Sequence, residues 1–66
     1  MQKTATFKRY VIFDLEDKTF WNDEDGHKPD LSAATLFVDS DDALESIEDS
    51  NEVVKEIEVT YKVTTL

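Results

Sequence analysis

The chain has 66 residues, with sixteen Asp and Glu against seven Lys and Arg and no cysteine. That length makes one domain with a modest core, and the missing cysteine excludes disulfides, thiolate metal sites and cysteine nucleophiles. A net charge of −9 repels DNA, RNA and anionic lipid and attracts cationic surfaces. No stretch approaches the roughly 20 apolar residues of a membrane span. Met1-Gln2-Lys3-Thr4 leads into a strand-like run rather than a signal-peptide core. The expectation is a soluble protein of a reducing cytoplasm. The charge is unevenly spread. Residues 1–13 hold Lys3, Lys8 and Arg9 and no acid, whereas residues 14–58 hold all sixteen acids and only Lys18, Lys28 and Lys55. An acidic chain is first suspected of disorder, but seven aromatics and clear periodicity argue against it.

"TATFKRYVIFDL" is rich in β-branched and aromatic residues and predicts a strand over about residues 5–14. Phe7, Val11 and Phe13 fall on one face and Tyr10 and Ile12 on the other, the pattern of a strand covered on both sides. "LEDK" reads as a turn and "TFWN" as a short return strand. "NDEDGHKPDLS" reads as the main loop, with the chain's only Gly, Pro and His. "AATLFV" predicts a third strand over about 33–38.

"DSDDALESIED" predicts a helix over about 41–50, capped by Asp39 or Ser40. Ala43, Leu44 and Ile47 form its apolar stripe; Asp41, Asp42, Glu45, Glu48 and Asp49 lie opposite. Glu48 and Asp49 would then sit at the negative end of the helix dipole, a local conflict. "EVVKEIEVTYKVTTL" alternates as one half-buried strand over about 53–64, interrupted at Lys55. Twelve extended residues span roughly 40 Å, while a compact chain of this size has a radius of gyration of roughly 11 Å. The strand must therefore bend, project, or pair with another chain. A homodimer and a bent monomer stand side by side as readings. The expected class is α+β: an antiparallel sheet of three to four strands with one short helix packed on one face, in the order β-β-(β)-α-β. Leu44 and Ile47 would pack on Phe7, Val11, Leu36, Ile57 and Val59.

Candidate chemistry is sparse. An EF-hand counted from Gly26 would put Trp21 at loop position 1 and Ser32 at position 12, so the pattern fails at both ends. A single His without Cys makes a poor zinc set, and His27 reads as a solvated loop residue. Ser32, Ser40, Ser46 and Ser50 are accounted for by turns, caps and an exposed helix face. No metal, cofactor or catalytic residue is expected, and the chain does not read as an enzyme. Lys3, Lys8 and Arg9 are too few to grip nucleic acid against the acidic field. Phe20, Trp21 and Tyr10 could stack bases but are more simply packing residues.

The acidic surface itself remains. The plain reading is solubility. The sharper reading is mimicry of DNA, whose charges are spaced about 1.7 Å apart along the axis. On a helix, Asp41, Glu45, Glu48 and Glu52 would form a row, with Asp39, Asp42 and Asp49 beside it. The loop acids Asp23, Glu24, Asp25 and Asp30 would extend that row. Holding like charges close destabilises the fold, a cost that a basic partner relieves.

The acidic run Asp39–Glu52 and the loop acids Asp23–Asp30 resemble those of small phage-encoded host-takeover proteins of the DNA-mimic class, including phage inhibitors of the histone-like protein HU. The resemblance extends to size, missing cysteine and the hairpin–helix–strand layout. It implies a non-enzymatic inhibitor that displaces DNA from a basic DNA-binding protein in the host bacterial cytoplasm, without itself binding nucleic acid or membrane. The segment "ATLFVDSDDALESIE" also resembles the strand-to-helix part of phage inhibitors of bacterial RNA polymerase. Inhibition of a defence nuclease, or a structural domain whose acidity serves solubility, are the remaining alternatives.

Overall fold

A computed structural model describes residues 2–65; Met1, the first residue of the start read against a signal peptide, lies outside them. The elements are β1 (Gln2–Asp14), β2 (Thr19–Asn22), β3 (Gly26–Lys28), a 3-10 turn (Leu31–Ala33), α1 (Ser40–Glu45) and β4 (Glu52–Thr64). The four strands form one antiparallel sheet in the order β3-β2-β1-β4, with one short helix. A small α+β fold results, in which strand dominates and helix is minor.

Both hairpins use the same turn. At the first, Asp14 Oδ1 accepts the N–H groups of Glu16 and Asp17, each at 2.9 Å, and Lys18 takes a positive φ of 58°. At the second, Asn22 Oδ1 accepts those of Glu24 (2.8 Å) and Asp25 (3.0 Å), and Gly26 takes a φ of 82°. An Asx side chain bonding two residues onward folds the chain back, and a left-handed residue then restores the strand direction. Gly26 occupies that position freely; Lys18 does so at a steric cost.

Three expectations are corrected. The segment 22–32 is not one loop, because Gly26–Lys28 pair with β2 as a third strand. Residues 33–38 are not a strand: Leu31–Ala33 make a 3-10 turn, and only Phe37 bridges β1, exchanging bonds of 2.9 and 2.8 Å with Tyr10. The helix spans six residues rather than about ten. It is capped by Asp39, as one of the two expected caps, and ends where Ser46 N–H turns back to Ala43 and Leu44 carbonyls. A Ser46 hydroxyl bonded to Asp42 O (2.9 Å) adds to this termination.

The core is small. Val11, Ile12 and Ala43 are at most 1% exposed. Val11 and Ile12 are successive residues on opposite faces, so the middle of β1 is covered on both sides. α1 packs on β1 and β4 through Ala43, while Leu44 is 55% exposed, and Phe7 and Leu36 are also exposed. Leu44 is thus more than half exposed rather than set in the core, and Ala43 is the buried residue of the short helix. Phe13 meets Phe20 at 4.9 Å between ring centroids, and Trp21 stacks on Phe37 at 5.9 Å, so these aromatics are engaged in packing. Lys55, the interruption in the β4 alternation, stands opposite Val11 and holds its ammonium 4.6 Å from the centre of the Phe13 ring.

β1 and β4 pair over their whole lengths without a bulge, from Asp14↔Glu52 to Gln2↔Thr64. On the other edge of β1, β2 reaches only Phe13 and Asp14, and Phe37 only Tyr10. Beyond Tyr10 the two long strands therefore run out together as a two-stranded arm. The chain measures 46 × 22 × 18 Å with a radius of gyration of 13.7 Å, larger than a compact chain of this length. Of the outcomes expected for the last strand, projection is the one observed. Among the described residues, no helix is long and apolar enough to cross a membrane.

Candidate functional site

The arm and the body carry opposite charge. Residues 2–9 and 57–64 hold Lys3, Lys8, Arg9 and Lys62 against Glu58 alone. The other fifteen acids stand with only Lys18, Lys28 and Lys55 in residues 10–56. Among the described residues the one Lys or Arg ion pair is Lys8–Glu56, at 3.8 Å and exposed. Apart from Glu56, no carboxylate of the body thus has a Lys or Arg partner among the described residues.

Four segments position them. The β2–β3 turn projects Asp23, Glu24 and Asp25. Asp23 is anchored there, its N–H donating to Thr35 Oγ1 at 3.0 Å while its carboxylate accepts that hydroxyl at 3.3 Å. Asp30 precedes the 3-10 turn without capping it through its side chain. Asp39 accepts the Asp41 N–H at 2.9 Å, which spends one of its oxygens on the helix start. Asp41 and Asp42 follow in the first turn, where the partial positive charge of the helix end favours them. Asp41 and Glu45 stay one helical turn apart, about 6 Å along the axis.

The fourth segment is the loop after α1, and it corrects the expected row. Glu48 and Asp49 are not helical; their N–H groups donate to Glu52 Oε1 at 2.9 and 3.0 Å. The expected conflict with the helix dipole does not arise, since both residues lie beyond the helix end. Glu52 is not part of an exposed row either. Its side chain is 4% exposed on β4, with Oε2 3.2 Å from His27 Nε2. The other ten candidate acids, from Asp23 to Asp49, are exposed. They lie in separate groups at the β2–β3 turn, before the 3-10 turn, on α1 and in the loop after it, rather than along one helix face.

Two features escaped the sequence reading. His27 is no loop residue but sits on β3 and reaches Glu52. Glu16, in the β1–β2 turn, accepts the Asn51 side-chain amide at 2.6 Å and joins the acids of the turn to the loop after α1. The "LEDK" turn beside an Asp-rich loop held the charge signal for this, but not the pairing.

Among the described residues the surface encloses no cavity, and no three His, Asp or Glu side chains converge as metal ligands. In comparisons with known proteins, no family model, no curated protein and no solved structure matches the chain.

Proposed function

We propose that this is a non-enzymatic binding protein whose acidic body occupies the DNA-binding surface of a basic protein and excludes DNA from it. The carrying observation is the separation of charge: ten exposed carboxylates on the body without a Lys or Arg ion pair, set apart from a basic arm. A domain that needed charge only for solubility gains nothing from such separation, since mixed signs on one surface serve solubility as well. Carboxylates held on turns and a capped helix turn present charge at fixed places, which speeds encounter with a cationic surface and makes it salt-dependent. A nucleoid protein of the HU kind, basic and exposed in the bacterial cytoplasm, represents the target class.

The test is capture from bacterial lysate at about 50 and 300 mM salt, followed by challenge with duplex DNA. The reading expects one or a few basic DNA-binding proteins retained at the lower salt and released by DNA. A folded protein that retains nothing at either salt overturns it, and the acidity then serves solubility.

A further inference from the structure

The outer edge of the thirteen-residue β4 pairs with no strand among the described residues, and only its first residue, Glu52, has its N–H bonded to the preceding loop, at Asp49 O. Tyr10 spends both backbone groups on Phe37, so they point away from β4. Alternation along an unbroken register then turns the backbone groups of Glu56, Glu58, Thr60, Lys62 and Thr64 off the outer side of β4. Long edges of this kind are normally blunted by proline, charged side chains of one sign, a bulge or shortness. β4 has no proline, its register holds no bulge, and it is as long as any strand in the sheet.

The opposite edge of the arm is guarded. Lys3, Lys8 and Arg9 line β1 without an acid, so a second β1 would bring like charges together. The Arg9 guanidinium also donates to Lys8 O at 2.7 Å, occupying a carbonyl of that edge. β4 instead carries both signs in an order that complements itself.

We infer that two copies of this chain pair through β4, antiparallel and centred on Thr60, joining their sheets into one. In this register Glu58 faces Lys62 of the second copy and Lys62 faces Glu58. Each cross-strand pair thereby gains an opposite charge that Lys62, opposite Thr4 within its own ribbon, lacks. On one face Tyr61 (53% exposed) meets Val59 of the second copy, and Val63 (62% exposed) meets Ile57. Thr60 meets itself. The contact is isologous, so it closes at two copies and leaves no repeating edge. It does not depend on the acidic body binding a partner.

The experiment is sedimentation of the whole chain over about 1 to 500 μM, which spans the range of weak dimers. Thr60→Pro and Thr6→Pro form a matched pair, because the two residues are direct cross-strand neighbours and both turn their N–H outward. The inference expects a two-chain mass for the parent and for T6P and a one-chain mass for T60P, with circular dichroism unchanged. Glu58→Lys or Lys62→Glu alone should weaken the dimer about tenfold, because two symmetry-related pairs turn repulsive. The double change E58K/K62E should restore it. A one-chain mass for the parent throughout overturns the inference, as does dissociation by T6P with T60P intact. Failure of the double change to recover overturns the register.

Discussion

His27 Nε2 lies 3.2 Å from Glu52 Oε2, although β3 and β4 are the two opposite edges of the four-stranded sheet. Three strand spacings in a flat sheet would separate them by about 14 Å. The contact therefore records a curled sheet, whose concave face carries Ile12, Trp21, His27 and Glu52 by register. Glu52 acts as a three-way tie there, since its other oxygen holds the loop after α1.

Glu52→Ala should cost about 3 kcal/mol in urea unfolding, because two part-buried N–H groups and His27 lose their acceptor. Glu52→Gln should cost much less, since an amide oxygen still accepts both N–H groups. His27→Ala should cost about 1 kcal/mol or below, its ring being 40% exposed. Equal losses for Ala and Gln at position 52 would show that the tie is not made through these hydrogen bonds.

The paired turns respond oppositely to glycine. Lys18→Gly should stabilise by about 0.5 kcal/mol, the relief of a left-handed side chain partly offset by unfolded-state entropy. Gly26→Ala should destabilise by about 1 kcal/mol, even though an added methyl would meet nothing within 4 Å. Thermal melts of the two variants check both signs.

α1 should be sensitive at its cap and its one inward residue and tolerant elsewhere. Asp39→Ala should lose about 1 kcal/mol, and Ala43→Leu about 1–3 kcal/mol by overpacking. Leu44→Lys should stay within about 0.5 kcal/mol, as expected of a surface position. A large loss at Leu44 in urea titrations would contradict the exposed placement.

Added salt should stabilise the folded chain. Fifteen acids with three bases in the body repel one another, and screening them between about 10 and 300 mM NaCl should be worth about 1 kcal/mol, or about 4–8 °C in Tm. A Tm indifferent to salt would mean that the spread of the acids over several segments already suffices to relieve the repulsion.

If the acidic body binds a basic protein, its acidic groups should contribute unequally. D41K/E45K alters α1, D23K/E24K/D25K the β2–β3 turn, and E48K/D49K the loop after the helix. Each set should change stability by no more than about 1 kcal/mol, relief of repulsion offsetting the loss of Asp41 at the helix start and of the Asp23 carboxylate at Thr35, and the set facing the partner should reduce both the on-rate and its salt dependence in surface plasmon resonance. Uniform small effects from all three sets would indicate attraction to net charge rather than to a defined face.

The strands β1, β2 and β4 were legible in the sequence because their alternation and β-branched content act locally: side chains of period two must lie on opposite faces whatever surrounds them. The charge split between the N-terminal run and the rest was legible in the same way, and so was the excess length of the last strand for a compact chain, but not the choice among bending, projecting and pairing. What tertiary structure decided lay where one side chain serves a distant backbone. Glu52 reads as the last acid of a helical run, yet burial on β4 makes it the acceptor for Glu48 and Asp49, and the helix stops short of them. His27 reads as a loop residue until curling of the sheet brings it to Glu52. "AATLFV" has strand composition, yet it begins in the 3-10 turn at Leu31–Ala33 and runs into α1 at Ser40, so a single bridge at Tyr10 is all it forms. Local periodicity determines what a segment can be; the competition for hydrogen-bond partners across the fold determines what it becomes.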